Sequence, residues 1–247
     1  MSVLSVQGLT KSFGGVRALS GVSFEVQPGE LVAMIGPNGA GKTTCFNVVN
    51  GQLQPDEGAV RIGGQPVAGR SPHLIERLGV ARTFQVAETF ASMTVRENVQ
   101  TALLAHERRT AEFWTRARRQ CVAQADELLG LVGMSDQAQR PCAVLAYGDV
   151  KRVELAMALS GAPRLLLMDE PTAGMAPKER SALMALSARL ARERNIGVLF
   201  TEHDMDVVFE HADRILVLDR GELIAQGPGR EVRADPRVQS VYLGSSR

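Results

Sequence analysis

The stretch Gly36–Thr43 (GPNGAGKT) decides the fold, because it fits the pattern G-x-x-x-x-G-K-[ST] at every fixed position. The uncharged run Leu31–Ile35 before it predicts a buried parallel strand, and Lys42–Asn50 after it predicts a helix that ends at Gly51. Glycines let successive backbone N–H groups turn inward and form an anion-binding concavity, to which the helix N-terminus adds partial positive charge. The sequence therefore predicts a phosphate-binding loop. Lys42 would reach the β- and γ-phosphates, and the Thr43 hydroxyl is placed to coordinate Mg²⁺.

Length and composition narrow the class of protein. The chain has 247 residues and a net charge of +1, which is enough for one large α/β domain and gives no argument for binding nucleic acid or a membrane surface. Cys45, Cys121 and Cys142 are an odd, scattered set without metal-ligand spacing, which indicates free thiols in a reducing compartment. No apolar run approaches the roughly 18 residues that span a bilayer, and Gln7 and Lys11 interrupt any signal-peptide core. We therefore expect a cytoplasmic protein whose membrane contact comes through a partner.

The first and last parts of the chain are predicted to be rich in strands. Val22–Val26 alternates apolar and polar residues, Val3–Val6 is a plausible partner strand, and Ala59–Ile62 follows a turn. Towards the C-terminus, strands at Leu165–Met168, Val198–Thr201, Ile215–Leu218 and Leu223–Ala225 accompany a helix at Pro177–Glu193. This strand–helix–strand rhythm predicts a mostly parallel sheet.

The middle of the chain, from about Glu88 to Gly161, is predicted to be helical. Thr94–Ala105 begins with a threonine and has Glu97 three residues later, which is a capping box. Arg116–Leu131 has helical spacing and is followed by Gly133.

Two acids follow the predicted strand Leu165–Met168. In P-loop enzymes an aspartate at such a strand end holds Mg²⁺, directly or through water, which is the role we expect for Asp169. Glu170 is then positioned to polarise an attacking water as general base. An acidic turn after a buried strand is common by itself, but together with the phosphate loop it predicts a nucleotide hydrolase.

Five further features occur in the order found in one family, and the chain resembles an ABC-transporter ATPase subunit over its whole length. They are Phe13 in KSFG, Gln85 in TFQ, the signature-like Leu145–Asp149 (LAYGD), Thr172–Pro177 at the D-loop position, and His203 in TEHD. Each is weak alone, since Phe13 fits a core and a single histidine is more often structural than catalytic. Their order and spacing around the two nucleotide motifs carry the resemblance.

The resemblance implies a fold and a set of site residues. The fold is α/β, a P-loop NTPase with an ABC-type core of mixed sheet flanked by helices, an antiparallel β subdomain and a helical subdomain. All 247 residues would form one domain, with the core and β subdomain at about 1–87 and 162–247 and the helical subdomain at about 88–161. The residues implied to hold ATP are Phe13, which stacks on adenine, and Gly36, Pro37, Asn38, Gly39, Ala40, Gly41, Lys42, Thr43 and Thr44.

Catalytic roles are implied in the same way. Gln85 would coordinate Mg²⁺ or the attacking water, with Thr43 and Asp169 as the other metal ligands, and its loop would sense the transmembrane partner. His203 would contact the γ-phosphate and hold the catalytic geometry around Glu170. The family hydrolyses ATP between two subunits in a head-to-tail sandwich, so Ala146, Tyr147, Gly148 and Asp149 would close on the partner's ATP.

The chain departs from the family pattern in its signature and D-loop. The usual signature begins Leu-Ser-Gly-Gly-Gln, whereas here Ala146, Tyr147 and Asp149 replace its serine, first glycine and glutamine. Ala146 offers no hydroxyl to the partner's γ-phosphate, and the loss of one charge-assisted hydrogen bond would weaken closure by roughly 1.5–3 kcal/mol. Asp149 adds negative charge that Lys151 or Arg152 would have to offset. In the D-loop, Ala176 stands where the family commonly has aspartate. A heterodimer with a second, better-matched ATPase would accommodate these departures, and the sequence leaves a homodimer open as well.

One branch of the family shares several of these segments. Its members are the ATP-binding subunits of bacterial branched-chain amino acid importers. The resemblance to this branch lies in four segments: Arg82–Gln85, the signature segment Leu145–Ala156, Glu202–Met205 and Val241–Gly244. Such importers combine a second ATPase, two membrane permeases and a periplasmic solute-binding protein, which places this chain peripherally on the cytoplasmic face of the bacterial inner membrane. Val86–Phe90 is the expected docking surface for the permeases.

Several alternatives stay open at the level of sequence. Related importers carry urea, short amides or aromatic acids, and a similar ATPase serves lipopolysaccharide export with a signature nearer the standard form. A regulatory nucleotide binder that hydrolyses nothing fits the altered signature. An ABC-type ATPase of DNA repair or translation is disfavoured, because those carry tandem ATPase units or long coiled coils and because the charge is near neutral.

A cluster of arginines lies in the predicted helical part, at Arg108, Arg109, Arg116, Arg118 and Arg119. Glu107 and Glu112 are interleaved with it, which favours a solvated helical face. Contact with anionic lipid headgroups, worth about 1 kcal/mol per residue near the surface, is the alternative.

Overall fold

The computed structural model of the protein describes residues 1–83, 89–106 and 121–243, and side chains as far as Val241. Gln85, the arginine cluster at 108–119 and most of the expected docking surface at 86–90 lie outside the described residues.

The strands of the described part run in chain order as follows: β1 Leu4–Phe13, β2 Val16–Val26, β3 Leu31–Ile35, β4 Glu57–Ile62, β5 Gln65–Pro66, β6 Val80–Thr83, β7 Leu165–Asp169, β8 Gly197–Thr201, β9 Arg214–Asp219 and β10 Glu222–Gly227. The helices are α1 Lys42–Val49, α2 Pro72–Glu76, α3 Val95–His106, α4 Val122–Leu131, α5 Tyr147–Leu159, α6 Pro177–Arg194, α7 Met205–His211, α8 Gly229–Ala234 and α9 Pro236–Leu243. Short 3-10 turns cover Ser135–Gln137 and Cys142–Val144.

The larger sheet has six strands in the order β10-β9-β3-β8-β7-β6. Every neighbouring pair in it is parallel except the hairpin of β9 and β10, which turns at Arg220 and Gly221, both with positive φ. The prediction of a mostly parallel sheet is therefore confirmed. Because the carboxyl ends of parallel strands meet at one edge, the ends of β3, β7 and β8 bring the loops after Ile35, Asp169 and Thr201 together.

The smaller sheet is antiparallel, with the strand order β2-β1-β4-β5. Leu4 of β1 faces Val26 of β2 on one side and Ile62 of β4 on the other. The predicted pairing of the first two strands is confirmed, but both are longer than expected, because β-bulges let β1 and β2 continue past their alternating segments as far as Phe13 and Val16.

The part of the chain between β6 and β7 is helical where it is described. Helix α3 begins with the predicted capping box: the Thr94 N–H donates to Glu97 Oε2 at 2.9 Å, and the Glu97 N–H donates to Thr94 Oγ1 at 3.2 Å. The buried Asn98 amide accepts from the Phe90 N–H at 2.7 Å and donates to the Phe90 carbonyl at 3.2 Å. The backbone of Phe90 is thereby fixed while its side chain is exposed.

The central strands divide the core into two clusters. Leu31, Ala33 and Ile35 of β3 pack with α3–α7, whereas Val32 and Met34 pack with α1 and the antiparallel sheet. Both faces of β3 are buried, which explains its continuous apolar sequence. Each fully buried aliphatic side chain contributes roughly 1.5–3 kcal/mol, so this strand anchors the loop that follows it.

Candidate active site

The phosphate-binding loop is held by close backbone packing on both sides. Gly36 has φ +154°, and a Cβ there would collide with the carbonyl oxygen of Leu218 in β9. Gly41 has φ +105°, and a Cβ there would lie 2.5 Å from the carbonyl oxygen of Ala18 in β2. The N–H of Gly221 in the β9–β10 turn donates to the Ala40 carbonyl at 3.0 Å. The loop therefore lies where both sheets meet, and two of its glycines are required by contact.

Helix α1 begins directly after the loop with a free anion-binding end. Gly41 is its N-cap residue and provides no side-chain cap, so the first-turn N–H groups remain available to an anion. Lys42 is largely buried, and its Nζ donates to the carbonyls of Gly36 at 2.7 Å and Pro37 at 3.1 Å. Burial lowers the pKa of Lys42, while the negative charges of Glu170 and Asp169 act in the opposite direction.

Asp169 ends β7 and is oriented by hydrogen bonds from both neighbouring strands. The Thr201 hydroxyl of β8 donates to its Oδ1 at 2.8 Å, and the Arg82 guanidinium of β6 donates to its Oδ2 at 2.9 Å. Each carboxylate oxygen accepts one of these bonds and retains further acceptor capacity. Together with the Thr43 hydroxyl, this carboxylate supplies hard oxygen donors of the kind that Mg²⁺ prefers.

Glu170 and His203 are in contact beside this carboxylate. The His203 Nε2 lies 2.8 Å from Glu170 Oε1, and the Glu170 N–H donates to the Thr201 carbonyl at 3.2 Å. Glu170 has φ +47°, a left-handed conformation that costs about 1–3 kcal/mol in a residue with a side chain. Strain held at a polar residue near a phosphate loop is typical of a functional site.

Two sets of hydrogen bonds join the segment after Glu170 to the segment that carries His203: those of Glu202 are buried, and those of Arg180 are partly buried. Glu202 Oε1 accepts from the Thr172 N–H at 2.8 Å and from the Thr172 hydroxyl at 2.7 Å. The Arg180 guanidinium donates to Asp204 Oδ2 at 2.5 Å and to the Met175 carbonyl at 2.7 Å. Burial raises the pKa of Asp204, but the hydrogen bonds from Arg180 and from two backbone N–H groups outweigh it and lower that pKa below its usual range.

Phe13 is the residue expected to stack on adenine, and its ring is exposed at the end of β1. The Lys11 ammonium lies 5.5 Å from the ring centroid and forms an ion pair with Asp56 at 2.7 Å. The hydrogen bond from Lys11 lowers the pKa of Asp56. A ring held at the surface beside a fixed cation is available for stacking.

The signature-like segment forms the start of helix α5. Ala146 is its N-cap residue and makes no side-chain capping bond, while Tyr147 is 43% exposed. The Lys151 ammonium forms a buried ion pair with Glu154 at 3.0 Å and lies 5.5 Å from the Tyr147 ring centroid. Its charge is thus shared with Glu154, which reduces what it can offer to Asp149.

The segment after Glu170 packs against the start of α5. A Cβ at Gly148 would lie 3.4 Å from the Met175 Cε, and one at Gly174 would lie 3.7 Å from the Tyr147 ring. The signature and D-loop positions are therefore in contact within one chain.

A separate cleft of about 470 Å³ opens between β6, α2, α3 and α5. Arg82, His106, Glu154 and Met157 are among the residues that line it. Through Arg82, which also donates to Asp169, the cleft adjoins the carboxyl edge of the larger sheet.

In the described part of the chain, no group of three or more His, Cys, Asp or Glu side chains is arranged as a metal centre. None of the described helices is long and apolar enough to cross a membrane.

The parallel sheet, the glycine-bound loop before α1 and the acids at the end of β7 define a P-loop nucleotide-binding protein. Residues 19–173 match the family model described as "ABC transporter", and residues 222–247 match the model described as "Branched-chain amino acid ATP-binding cassette transporter". The chain belongs to the ABC transporter family, of which it is an ATP-binding cassette. The resemblance carried by the sequence motifs is confirmed.

Named relatives and solved structures match over nearly full length. The high-affinity branched-chain amino acid transport ATP-binding protein BraF of Pseudomonas aeruginosa is 41% identical, covering 99% of this chain and 98% of that protein. LivG of Escherichia coli K12, which has the same description, is 39% identical over the same shares. An ATP-binding cassette of an ABC transporter solved in its ADP conformation has a TM-score of 0.87 and 32% identity, covering 99% of each chain. A nucleotide-free cassette has a TM-score of 0.85 and 31% identity, covering 98% of this chain and 99% of that one.

Three residues that organise the site, Arg82, Thr201 and Glu202, are not marked as site residues by any motif in the sequence. Arg82 and Thr201 were recognised only as parts of a shared segment and of a strand end, and Glu202 only as the neighbour of His203. Their partners are 87, 32 and 30 positions away in the chain. A polar side chain at the carboxyl end of a parallel strand is the one signal that points to Thr201 and Glu202.

Proposed function

We propose that this chain hydrolyses ATP to energise solute import by an ABC transporter, with branched-chain amino acids as the solutes. The observation that carries the hydrolytic part is the contact of His203 with Glu170 at 2.8 Å, next to Asp169 and the phosphate-binding loop. The solute class is supported by the two relatives named for branched-chain amino acid transport and by the family match at residues 222–247.

Each site residue then has a distinct role. The loop N–H groups and the Lys42 ammonium bind the β- and γ-phosphates of ATP, and Phe13 stacks on the adenine. Glu170 accepts a proton from the attacking water, so that the oxygen becomes nucleophilic as it approaches the γ-phosphorus. His203 holds the Glu170 carboxylate through its Nε2 and contacts the γ-phosphate once ATP is bound.

Mg²⁺ is the cation that fits the oxygen donors of Thr43 and Asp169, with Gln85 as a further proposed ligand. When bound, it neutralises the charge that develops on the phosphates. On the protein side, the Thr201 hydroxyl donates to the Asp169 carboxylate, and Glu202 accepts from the backbone N–H groups of both His203 and Thr172.

Hydrolysis is proposed to need a second ATPase subunit arranged head to tail. The start of α5, Ala146–Asp149, where Ala146 and Tyr147 are exposed and Gly148 is buried, would close on the partner's ATP through its helix N–H groups. Because Ala146 brings no hydroxyl and Asp149 brings a negative charge, a heterodimer remains our proposal.

Two permeases and, indirectly, a periplasmic solute-binding protein complete the proposed complex, and no nucleic acid takes part. The permeases are proposed to contact the cleft beside β6 and the exposed ring of Phe90, whose backbone Asn98 fixes. This arrangement places the chain peripherally on the cytoplasmic face of the bacterial inner membrane.

The hydrolytic part is tested by Glu170→Gln, which keeps the shape of the side chain and removes the base. We expect ATP affinity to be retained and ATP turnover to fall by about 10²–10⁴-fold, measured on the full chain alone and with its co-purified subunits. Glu193→Gln is the matched control, since Glu193 forms an exposed pair with Arg189 on α6. A wild-type turnover rate in Glu170→Gln would overturn the assignment of the base.

The solute class is tested on the co-purified transporter with its binding protein. We expect leucine, isoleucine or valine to stimulate ATP turnover, whereas urea, acetamide and an aromatic acid do not. Stimulation by one of those other solutes, or by lipopolysaccharide, would assign the chain to a related system.

A further inference from the structure

We propose that Arg82 is a positioning residue: it aims the Asp169 carboxylate and ties it to helix α1, which carries the phosphate-binding loop. The inference rests on the proposed role of Asp169 as a Mg²⁺ ligand. Arg82 lies on β6, the edge strand of the larger sheet in the described part of the chain, and it donates hydrogen bonds to Asn47 and Asp169.

The guanidinium of Arg82 bridges two elements that must keep a fixed distance. Its Nη2 donates to Asp169 Oδ2 at 2.9 Å, and its Nη1 donates to Asn47 Oδ1 on α1 at 2.8 Å. Its carbon Cζ lies 5.9 Å from the centroid of the buried Phe46 ring. A planar fork with donors on two sides can hold two acceptors at once, which a lysine ammonium on a flexible stem does less well.

The Asp169 carboxylate is fixed from both sides of its strand. Thr201 on β8 bonds one oxygen and Arg82 on β6 bonds the other, so rotation about the last side-chain bond is restrained in both directions. Outer partners of this kind set the orientation and basicity of a metal ligand, and their loss typically costs 10–100-fold in metal affinity or activity.

The alternative is that Arg82 only fastens the edge strand β6 to the sheet. The two interpretations differ in what they predict for Mg²⁺. A fastening role would lower stability and leave the metal dependence of nucleotide binding unchanged, whereas a positioning role changes that dependence even in a folded variant.

The test is a Mg²⁺ titration of the binding of a fluorescent ATP analogue to the full chain, together with binding in EDTA and a thermal melt. Arg82→Met keeps an unbranched stem over Phe46 and removes both donors, and Arg82→Lys keeps the charge. Arg214→Met is the matched control. Arg214 forms a similar half-buried ion pair with Glu30 at 2.8 Å, and its strand β9 lies towards the opposite edge of the same sheet from β6.

In Arg82→Met we expect the affinity for the ATP analogue in EDTA to be unchanged. The Mg²⁺ concentration that gives half of the Mg²⁺-dependent increase in that affinity should rise about tenfold. Arg82→Lys should recover part of this shift, and Arg214→Met should melt earlier with a wild-type Mg²⁺ midpoint. A wild-type midpoint in both Arg82 variants, or an equal shift in Arg214→Met, would overturn the inference. Asp169→Asn separates the two proposals: if it too leaves the midpoint unchanged, the assignment of the metal ligand fails as well.

Discussion

Two helices of this chain present their N-termini to phosphate in the proposed mechanism, and they are built in opposite ways. Helix α1 begins inside the molecule, behind a loop whose Gly36 and Gly41 pack against the carbonyls of Leu218 and Ala18. Helix α5 begins at the surface, with Ala146 and Tyr147 exposed and no side-chain cap.

In the proposed mechanism, this difference bears on which half of an ATP site the chain completes by itself. The α1 end is organised by contacts within the chain and needs only the ligand. The α5 end is exposed at Ala146 and Tyr147 but contacts its own chain at Gly148, which lies near Met175 and Glu179. In the proposed mechanism, the surface that covers the two exposed residues completes its geometry.

The largest effect should come from breaking the packing of the α1 end. In Gly36→Ala the added Cβ meets the Leu218 carbonyl, and we expect ATP affinity to fall at least about 100-fold and the free energy of unfolding to fall by about 3–5 kcal/mol. Denaturant unfolding and nucleotide titration measure both quantities.

Gly39→Ala is the control for this prediction. Gly39 also has a positive φ, +80°, but a Cβ there meets nothing within 4 Å. Only the left-handed strain of about 1–2 kcal/mol should appear. Equal losses of stability in the two variants would mean that contact with Leu218 does not shape the loop.

A pH effect on the same end is expected to be smaller. Burial lowers the pKa of Lys42, so the free protein loses this proton below the ordinary lysine value of 10.5, whereas bound phosphate favours the ammonium. ATP affinity should therefore fall by up to about tenfold per pH unit as the pH rises through the lowered pKa. The stability of the free protein changes in the opposite sense, because deprotonation relieves the cost of a buried charge.

Titration calorimetry from neutral to alkaline pH measures this slope. Lys42→Arg keeps a charge that does not titrate in this range, so its slope should vanish. An identical alkaline slope in the arginine variant would assign the effect to another group.

The smallest effect concerns the α5 end. Ala146 has extended backbone angles suited to a cap, so the hydroxyl in Ala146→Ser should bond the first-turn N–H groups. We expect a gain of about 1 kcal/mol, which raises Tm by about 2–4 °C in a chain of this size. Ala143→Ser, at an exposed position in the preceding 3-10 turn, is the control and should leave Tm unchanged. No gain in Ala146→Ser would show that its N–H groups are already satisfied.

Much of the fold could be predicted because the decisive signals are local. The phosphate loop, the strand before it and the capping box of α3 each depend on residues within ten positions of one another. Strand β7 and its terminal acids were predictable for the same reason, since a continuous apolar run ending in charge has few other interpretations.

Strand β6 and its role were not predictable in this way. Val80–Thr83 is short and contains Arg82, so neither alternation nor an apolar run marks it as a strand. Its place beside β7 follows from the strand order of the whole sheet, and the bond between Arg82 and Asp169 exists only because of that order. Long-range register of this kind is not encoded in any local segment.

The helix α2, Pro72–Glu76, was missed for a related reason. It has five residues, too few for a helical period to be visible, and only Ile75 among them is buried. Short helices of this kind are stabilised by what they pack on and not by their own sequence.

The convergence of Ala18, Ala40, Leu218 and Gly221 at the phosphate loop has a consequence for folding cooperativity. The antiparallel sheet and the parallel sheet share this junction, so neither can open there without disturbing the loop. A nucleotide present at 1,000 times its Kd stabilises the folded state by about 4.1 kcal/mol, and part of that protection should reach strands that the nucleotide never touches. Amide hydrogen exchange in β2 should therefore slow when ATP binds, because ATP stabilises the smaller sheet through the shared junction.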